Sequence, residues 1–177
     1  MDRFKNKFKT VSSRLKNWDY KNPWWYYVTI CTKNHKEWFG EISNSKMILN
    51  ELGQIANEYW INIPIHYPEV ELDEYIIMPN HIHGIIILNE LPTVETPYMV
   101  SLQSNRQHSL GDVVGKYKAA VARQSRKMGY KQFQWQPRFY DRIIRNEKEL
   151  FQIRKYIQQN PLKWEIEKDF PENMDIL

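Results

Sequence analysis

Two histidines flank one isoleucine directly after a short turn, and this spacing could place both imidazoles on a single metal ion. His81 and His83 follow the turn at 78–80 and begin an apolar stretch that ends at Leu88. Side chains alternate between the two faces of a β-strand, so His81 and His83 should point one way and Ile82 the other. Paired imidazoles suit a divalent cation. A structural or incidental role for the pair is the alternative interpretation.

A tyrosine and an asparagine stand one helical turn apart in a later segment. Tyr156 and Asn160 belong to a predicted helix in which Leu150, Ile153 and Ile157 share an apolar face. At about 100° per residue, Tyr156 falls on the flank of that face and outside its centre. Without the histidines, this position would predict an ordinary boundary tyrosine whose hydroxyl lies in water.

Together these residues could cleave a phosphodiester. A tyrosine hydroxyl titrates at a pH of about 10 and is a weak nucleophile at neutral pH. A divalent cation on the non-bridging oxygens would withdraw charge and hold the phosphate for in-line attack. His81 and His83 would supply two ligands and the Asn160 amide oxygen a third, a set that suits Mg²⁺ or Mn²⁺. Attack by Tyr156 would conserve the bond energy as a phosphotyrosine.

Basic and acidic residues are distributed unevenly along the chain, whose net charge is +4. Residues 1–21 carry seven basic and two acidic side chains, and residues 116–145 carry nine basic side chains and only Asp141. The segment between them, at 37–74, carries eight acids and one base. This pattern favours a polyanionic partner. A merely solubilising surface is the alternative that charge alone leaves open.

A chain of 177 residues should form one domain with a sizeable core. We expect a basic arm at 1–22 and a single catalytic domain at 23–177, with a flexible loop at 89–109. The single cysteine, Cys31, excludes an internal disulfide and fits the reducing cytoplasm. No apolar run reaches the roughly 18 residues that span a bilayer, and no signal-peptide segment follows the basic N-terminus. No membrane partner is therefore expected.

Hydrophobic periodicity predicts seven elements. In chain order they are a strand at 24–32, a helix at 46–63, strands at 70–78 and 81–88, a helix at 110–128, a strand at 138–145 and a helix that Asn146 caps and Pro161 ends. The first six form the split βαβ arrangement of an α+β, ferredoxin-like domain. Its four-stranded antiparallel sheet would carry two helices on one face, and an additional C-terminal helix would carry Tyr156.

Several segments resemble the HUH superfamily of single-tyrosine transposases, in particular the REP-associated tyrosine transposases. The matching segments are MPNHIHGIIIL (78–88), WQPRFYDRIIRN (135–146) and YIQQNP (156–161), and VTICTKNHKEWFGEI (28–42) is similar to the family's first strand and following turn. They extend from about residue 24 to 164 and occur in the family's order.

This resemblance implies a ferredoxin-like nuclease fold in which His81 and His83 bind the metal and Tyr156 is the nucleophile. Asn160 stands where related insertion-sequence transposases place a glutamine as third ligand, and it is shorter by one methylene. The family cleaves and transfers single-stranded DNA at hairpins of palindromic repeats, usually near its own gene, through a 5′-phosphotyrosine. A bacterial cytoplasmic protein that joins the nucleoid when DNA-bound is expected. A homodimer, common among insertion-sequence relatives, and a monomer are both left open.

Seven basic side chains are candidates for contacts with the DNA backbone, which position DNA without specifying its sequence. They are Lys116, Lys118, Arg123, Arg126, Arg138, Arg142 and Arg145.

Two other functions remain open at this point. One is a catalytically idle module that binds hairpin DNA or RNA, because ferredoxin-like sheets commonly present aromatic side chains to single-stranded RNA. The other is a hydrolytic phosphoesterase in which the histidines act directly, and that chemistry would not require Tyr156. A covalent protein–DNA adduct would separate the transposase from both.

Overall fold

The computed structural model describes residues 17–90 and 107–169. Most of the predicted N-terminal arm and most of the predicted loop at 89–109 lie outside the described residues. The elements in chain order are β1 (Trp24–Cys31), β2 (Gly40–Ser43), β3 (Lys46–Leu49), α1 (Glu51–Ile61), α2 (Ile63–His66), β4 (Val70–Ile77), β5 (His81–Leu88), α3 (Leu110–Lys127), β6 (Tyr140–Ile143) and α4 (Glu147–Asp169).

Four strands form one antiparallel sheet in the order β4-β5-β1-β6. The two central strands, β1 and β5, are rich in aromatic and β-branched side chains; β5 is almost entirely buried, and half of the β1 side chains are buried. A central strand covered on both faces reads as a continuous apolar run, which explains why β5 lacks polar alternation after the histidines. The predicted α+β, ferredoxin-like fold is confirmed.

The two faces of the sheet carry different helices. Tyr26, Val28 and Ile30 of β1 point into the main core, together with apolar side chains of α1 and α3. Tyr27, between Tyr26 and Val28, points to the other face, where it packs in a smaller cluster with Ile157 of α4. Because His83 pairs with Thr29 in the β1–β5 ladder, both histidines lie on the face that α4 covers. We call this side of the sheet the α4 face.

The predicted helix at 46–63 is wrong over its first residues. Lys46–Leu49 is strand β3, which pairs with β2 in a small separate hairpin. Its turn residues Asn44 and Ser45 have φ values of 51° and 55°, as a two-residue hairpin turn requires. Helix α1 begins only after Asn50, whose side-chain oxygen accepts the Gly53 N–H at 2.9 Å. The apolar spacing fitted a helix across this boundary, but the capping residue marks the true start.

The prediction that Pro161 ends the last helix is also wrong, because α4 continues to Asp169. Proline removes one backbone hydrogen bond from a helix. Two contacts hold the later turns in place. Glu165 Oε2 accepts hydrogen bonds from the Ser45 backbone N–H at 2.9 Å and from the Ser45 hydroxyl at 2.7 Å. The Trp164 ring lies 5.9 Å from the His81 ring, so the extension of α4 covers the histidine end of the sheet.

Gly84→Ala should destabilise the sheet directly beside the histidines. A Cβ atom at Gly84 would lie 2.3 Å from Cζ2 of Trp60, a fully buried side chain of α1. Overpacking of this kind costs about 1–3 kcal/mol, and we expect a loss of about 3 kcal/mol in the free energy of unfolding. Urea denaturation measures it. Gly115→Ala on α3 is the control, since a Cβ there meets nothing within 4 Å; wild-type stability in Gly84→Ala would contradict this packing.

Within the described residues, no helix combines the length and apolar character needed to cross a membrane.

Candidate active site

The structure brings the two imidazoles of the sequence motif into direct contact. His81 begins β5 opposite Cys31, and His83 lies two residues further along the same strand. Their Nε2 atoms are 3.0 Å apart, and the ring centroids are 4.4 Å apart. His83 is buried, with 5% of its surface exposed, whereas His81 is half-buried. Both Nε2 atoms therefore point at one place at the end of the sheet.

Two nitrogen lone pairs cannot face each other at this distance without a proton or a cation between them. A proton on one Nε2 satisfies both atoms through an N–H···N hydrogen bond. A divalent cation held by both Nε2 atoms would satisfy them in the same way, and it would supply positive charge to a bound phosphate.

Asn80 fixes the orientation of His81. Its Nδ2 donates to the backbone carbonyl of His35 at 3.0 Å, which leaves Oδ1 as an acceptor. His81 Nδ1 lies 2.6 Å from that oxygen and must therefore carry the proton. The tautomer assigned from this network leaves the lone pair of His81 on Nε2, facing His83. Hydrogen bonds of this kind to the outer nitrogen are common for metal-binding histidines.

Two hydroxyl groups surround the outer nitrogen of His83. Tyr27 Oη lies 2.7 Å from His83 Nδ1, and Thr29 Oγ1 lies 2.9 Å from it. The Tyr27 and His83 rings also stack, with centroids 5.6 Å apart and 22° between the planes. A hydroxyl can donate or accept, so it satisfies Nδ1 in either tautomer. His83 can consequently exchange a proton on Nε2 for a cation without leaving a buried polar atom unpaired.

Burial keeps both histidines neutral. Desolvation lowers the pKa of His81 to about 4; a nearby His35 adds to this effect, and a hydrogen bond with the Asn160 side chain partly offsets it. Desolvation also lowers the pKa of His83 to about 3, with a further contribution from His81. At neutral pH each imidazole therefore keeps a free lone pair, which metal binding requires.

Helix α4 places the candidate nucleophile against this pair. The Tyr156 ring meets the His83 ring edge-on, with centroids 5.3 Å apart and 68° between the planes. Tyr156 is 41% exposed, so a substrate can reach it, whereas Asn160 is 6% exposed and lies close enough to raise the pKa of His81. The Lys163 ammonium lies 5.6 Å from the centroid of the Tyr156 ring, where it can offset the charge of a phosphate.

The donor set contains few classical metal ligands. Within the described residues, no group of three or more His, Cys, Asp or Glu side chains could hold a metal ion. A cation here would rest on His81, His83 and the amide oxygen of Asn160. Such a site leaves positions for water and phosphate oxygens, as Mg²⁺ and Mn²⁺ sites often do.

Two of the seven predicted DNA-binding side chains are engaged within the protein. Lys118 Nζ donates to the backbone carbonyl of Gln136 at 2.6 Å. Arg142 forms an ion pair with Glu149 at the start of α4. Lys118 is thereby fixed on the loop before β6, so its contribution to DNA binding would require this contact to change.

The other five basic side chains are exposed but lie in two different places. Lys116, Arg123 and Arg126 belong to α3, on the face of the sheet opposite the histidines. Arg138 and Arg145 flank β6, at opposite ends of this edge strand. DNA contact by these residues stays a prediction. Arg138 precedes Tyr140, which pairs with Thr29 beside His83, so Arg138 is better placed than Arg145 for a DNA strand that crosses the candidate active site.

No family model matches the chain. A Haemophilus influenzae protein, described as an uncharacterized protein, is 40% identical over 160 residues, which cover 87% of this chain and 89% of that protein. This chain belongs to the same family.

The protein shares its fold with a REP-associated tyrosine transposase whose structure was solved bound to a REP hairpin. That structure superposes with a TM-score of 0.56 and 20% identity, over 86% of this chain and 74% of the transposase chain. At this identity the likeness establishes the fold. For the fold, this likeness confirms the resemblance seen in the sequence.

Several side chains around His81 and His83 were not identified from the sequence. Tyr27 and Thr29 contact His83, Asn80 orients His81, and Trp164 packs against the His81 ring. The sequence does contain a signal for Tyr27 and Thr29, because the alternation of side chains along β1 places both on the same face of the sheet. Which face that is depends on the pairing register between β1 and β5, which no local pattern specifies.

In the absence of metal, the protein should become less stable to unfolding as the pH falls from about 6.5 to 4.5. Burial lowers the pKa of His81 to about 4 and that of His83 to about 3, whereas a histidine of the unfolded chain titrates near pH 6.5. Between these values the unfolded state binds more protons, so acid favours unfolding. We expect a loss of about 2 to 4 kcal/mol, measured by urea denaturation in EDTA at the two pH values.

The double variant His81→Gln/His83→Gln is the control for this pH dependence. It removes both titrating groups and keeps polar side chains in place. The slope of stability against pH should be shallower than in the wild type. A double variant with the wild-type slope would show that other groups cause the acid sensitivity.

Proposed function

We propose that the protein is a metal-dependent transposase that cleaves and transfers single-stranded DNA at hairpins, with Tyr156 as the nucleophile. One observation carries the proposal: the exposed Tyr156 ring packs edge-on against His83, whose Nε2 converges with that of His81. This contact places Tyr156 beside the imidazole pair, in a position that a substrate can reach. A phosphate bound at the imidazole pair would lie beside the tyrosine.

The cleavage step follows from this arrangement. The Tyr156 hydroxyl oxygen attacks the phosphorus, a new O–P bond forms, and the bond from phosphorus to the 3′ oxygen of the preceding nucleotide breaks. The hydroxyl proton ends on the released 3′ oxygen, and the 5′ phosphate stays on Tyr156. A divalent cation held by His81, His83 and Asn160, Mg²⁺ or Mn²⁺, would withdraw charge from the phosphate oxygens. Attack by a 3′ hydroxyl on the phosphotyrosine reverses the step and joins strands.

The proposed substrate is single-stranded DNA that folds into a hairpin. Support comes from the REP-associated tyrosine transposase of the same fold, which was solved bound to a REP hairpin. Further support comes from the motifs at 78–88, 135–146 and 156–161, which contribute to one region of the fold. The basic side chains beside β6 would hold the backbone of such a strand.

The test uses single-stranded oligonucleotides that tile both strands of the DNA next to the protein's own gene. Each is labelled at the 3′ end or at the 5′ end and incubated with the full chain and Mg²⁺ or Mn²⁺. We expect an SDS-resistant protein band that carries the 3′ label, because the downstream fragment keeps its 5′ phosphate on tyrosine. EDTA should abolish the band. Cleavage without an adduct would indicate a phosphoesterase, and hairpin binding without cleavage would indicate an idle binding module.

A further inference from the structure

A second polar site lies beside the turn that carries the histidines. It is an open pocket of about 420 Å³, bounded by the loop after β1 and the segment before β6. Three lysines and three carboxamides supply its polar groups, and all six side chains are exposed. They are Lys33, Lys36, Lys131, Asn34, Gln132 and Gln134.

The walls of this lysine pocket are anchored to the candidate active site. The Lys33 N–H donates to the Gln134 carbonyl at 2.8 Å, and this contact joins the two walls. The preceding Thr32 N–H donates to the Asn80 carbonyl at 2.9 Å. Asn80 also orients His81, through its side-chain oxygen. One residue therefore links the position of the pocket to the position of the metal-binding pair.

The pocket has the chemistry of an anion site. Among the described residues that line it, three are cationic and none is acidic. Lys33 Nζ donates to Gln134 Oε1 at 2.7 Å, and Lys36 Nζ lies 4.3 Å from the centroid of the Trp38 ring, which forms one wall. Both ammonium groups are thereby held near the pocket and still have N–H donors to spare. A phosphate with an attached base matches cations, amides and an indole together.

The lysine pocket lies close enough to the histidines for one DNA strand to contact both. Lys33 follows Cys31 by two residues, and Cys31 pairs directly with His81. Two residues of extended chain cover about 7 Å. A strand that reaches the histidines can therefore reach the pocket with a phosphate that lies within a few nucleotides.

We propose that the lysine pocket binds a backbone phosphate of single-stranded DNA, within a few nucleotides of the phosphate held beside Tyr156. The inference rests on the proposed function for its substrate class. The inference predicts that the DNA strand continues from the active site along the loop after β1.

The first test compares two triple variants with the same loss of charge. Lys33→Gln/Lys36→Gln/Lys131→Gln removes the ammonium groups of the pocket. Lys46→Gln/Lys148→Gln/Lys155→Gln removes three exposed ammonium groups that lie outside the pocket and outside the basic segments at 1–21 and 116–145. Binding of a fluorescent single-stranded oligonucleotide to the full chain is measured by anisotropy in EDTA, across a range of salt concentrations.

Loss of this one phosphate contact reduces the slope of log K against log salt by about 0.7, the contribution of one neutralised phosphate for a single strand. We expect this reduction, and at least about tenfold weaker binding at moderate salt, for the pocket variant. The control variant should keep its slope. Equal slopes in the two variants, or no binding of the single strand by the wild type, would overturn the proposal.

The second test locates the bound phosphate. One charged linkage at a time is replaced by a neutral methylphosphonate along a cleavable oligonucleotide. For the wild type, neutralising one linkage within a few nucleotides of the cleavage position should weaken binding. The same replacement should have no further effect on the pocket variant. A wild type that tolerates every neutral linkage outside the cleavage position would contradict the pocket.

These outcomes separate the pocket from the proposed function. If the wild type forms its tyrosine adduct while the pocket variant binds DNA like the wild type, the pocket alone is wrong. If no adduct forms but the pocket variant loses its salt slope, the catalytic proposal is wrong and the pocket stands.

Discussion

Tyr156→Phe should reduce single-strand cleavage and adduct formation to background while leaving the fold intact. The substitution keeps the ring that packs on His83 and removes only the hydroxyl. Because the side chain is 41% exposed, loss of the hydroxyl should change the free energy of unfolding by about 0–1.5 kcal/mol. A nucleophile cannot be replaced by any other group, so the chemical step should stop. Gel assays of labelled oligonucleotides and urea denaturation measure the two effects.

Tyr140→Phe is the matched control for this prediction. Tyr140 is 47% exposed, lies on the α4 face opposite Thr29 in the β1–β6 ladder, and has its ring 6.4 Å from that of Tyr27. It is thus another accessible tyrosine near the histidines, and its phenylalanine variant should cleave DNA at close to the wild-type rate. The assignment of Tyr156 would be wrong if Tyr156→Phe cleaved normally while Tyr140→Phe did not.

His81→Ala and His83→Ala should each reduce metal-dependent cleavage by at least about 100-fold. Changes to groups that merely orient metal ligands cost about 10–100-fold, and loss of a ligand itself should cost at least as much. DNA binding should stay within about tenfold of the wild type, since phosphate and base contacts supply most of the affinity. Cleavage assays with Mg²⁺ and Mn²⁺ and anisotropy in EDTA separate the two quantities.

A direct measurement of Mn²⁺ binding distinguishes a ligand role from a structural one. Calorimetry should detect Mn²⁺ binding to the wild type in the presence of an oligonucleotide, and much weaker binding to either alanine variant. His66→Ala is the control, because His66 is an exposed side chain on α2 and no part of the site. Normal cleavage by either His81→Ala or His83→Ala would refute the metal assignment.

Most of the sheet could be predicted from local sequence. The aromatic and β-branched run of β1 and the apolar run of β5 follow from side-chain chemistry alone, and Pro79 and Asn80 mark the turn between β4 and β5. The β2–β3 hairpin could not be predicted in the same way. Its two strands have four residues each, and Ile48 and Leu52 recur at a spacing that also fits a helix.

The end of α4 shows a second limit of local rules. Proline disfavours a helix by removing one hydrogen bond, and this is a local effect. The contact between Glu165 and Ser45 connects residues 120 positions apart and compensates for that loss. Sequence patterns do not reveal contacts at this separation. The extension carries Trp164 to His81 and Lys163 to Tyr156.

The residues of the candidate site could be predicted from the sequence, whereas most of the contacts that support them could not. His81, His83 and Tyr156 could be selected from residue type, spacing and resemblance. The hydroxyls of Tyr27 and Thr29 could not, since their role depends on the register that places them next to His83. The lysine pocket is a similar case. Lys33 and Lys131 are far apart in sequence and meet only because the segment before β6 pairs with the end of β1.

The most direct test of the catalytic proposal is the identity of the residue that carries DNA after cleavage. The wild-type chain is incubated with a 3′-labelled single-stranded hairpin oligonucleotide and Mn²⁺, the SDS-resistant band is isolated, and its peptides are mapped by mass spectrometry. We expect the 5′ phosphate of the downstream fragment on Tyr156, in the peptide that contains 156–161. A phosphate on Tyr140 or Tyr130, or cleaved DNA with no protein attached, would contradict the mechanism.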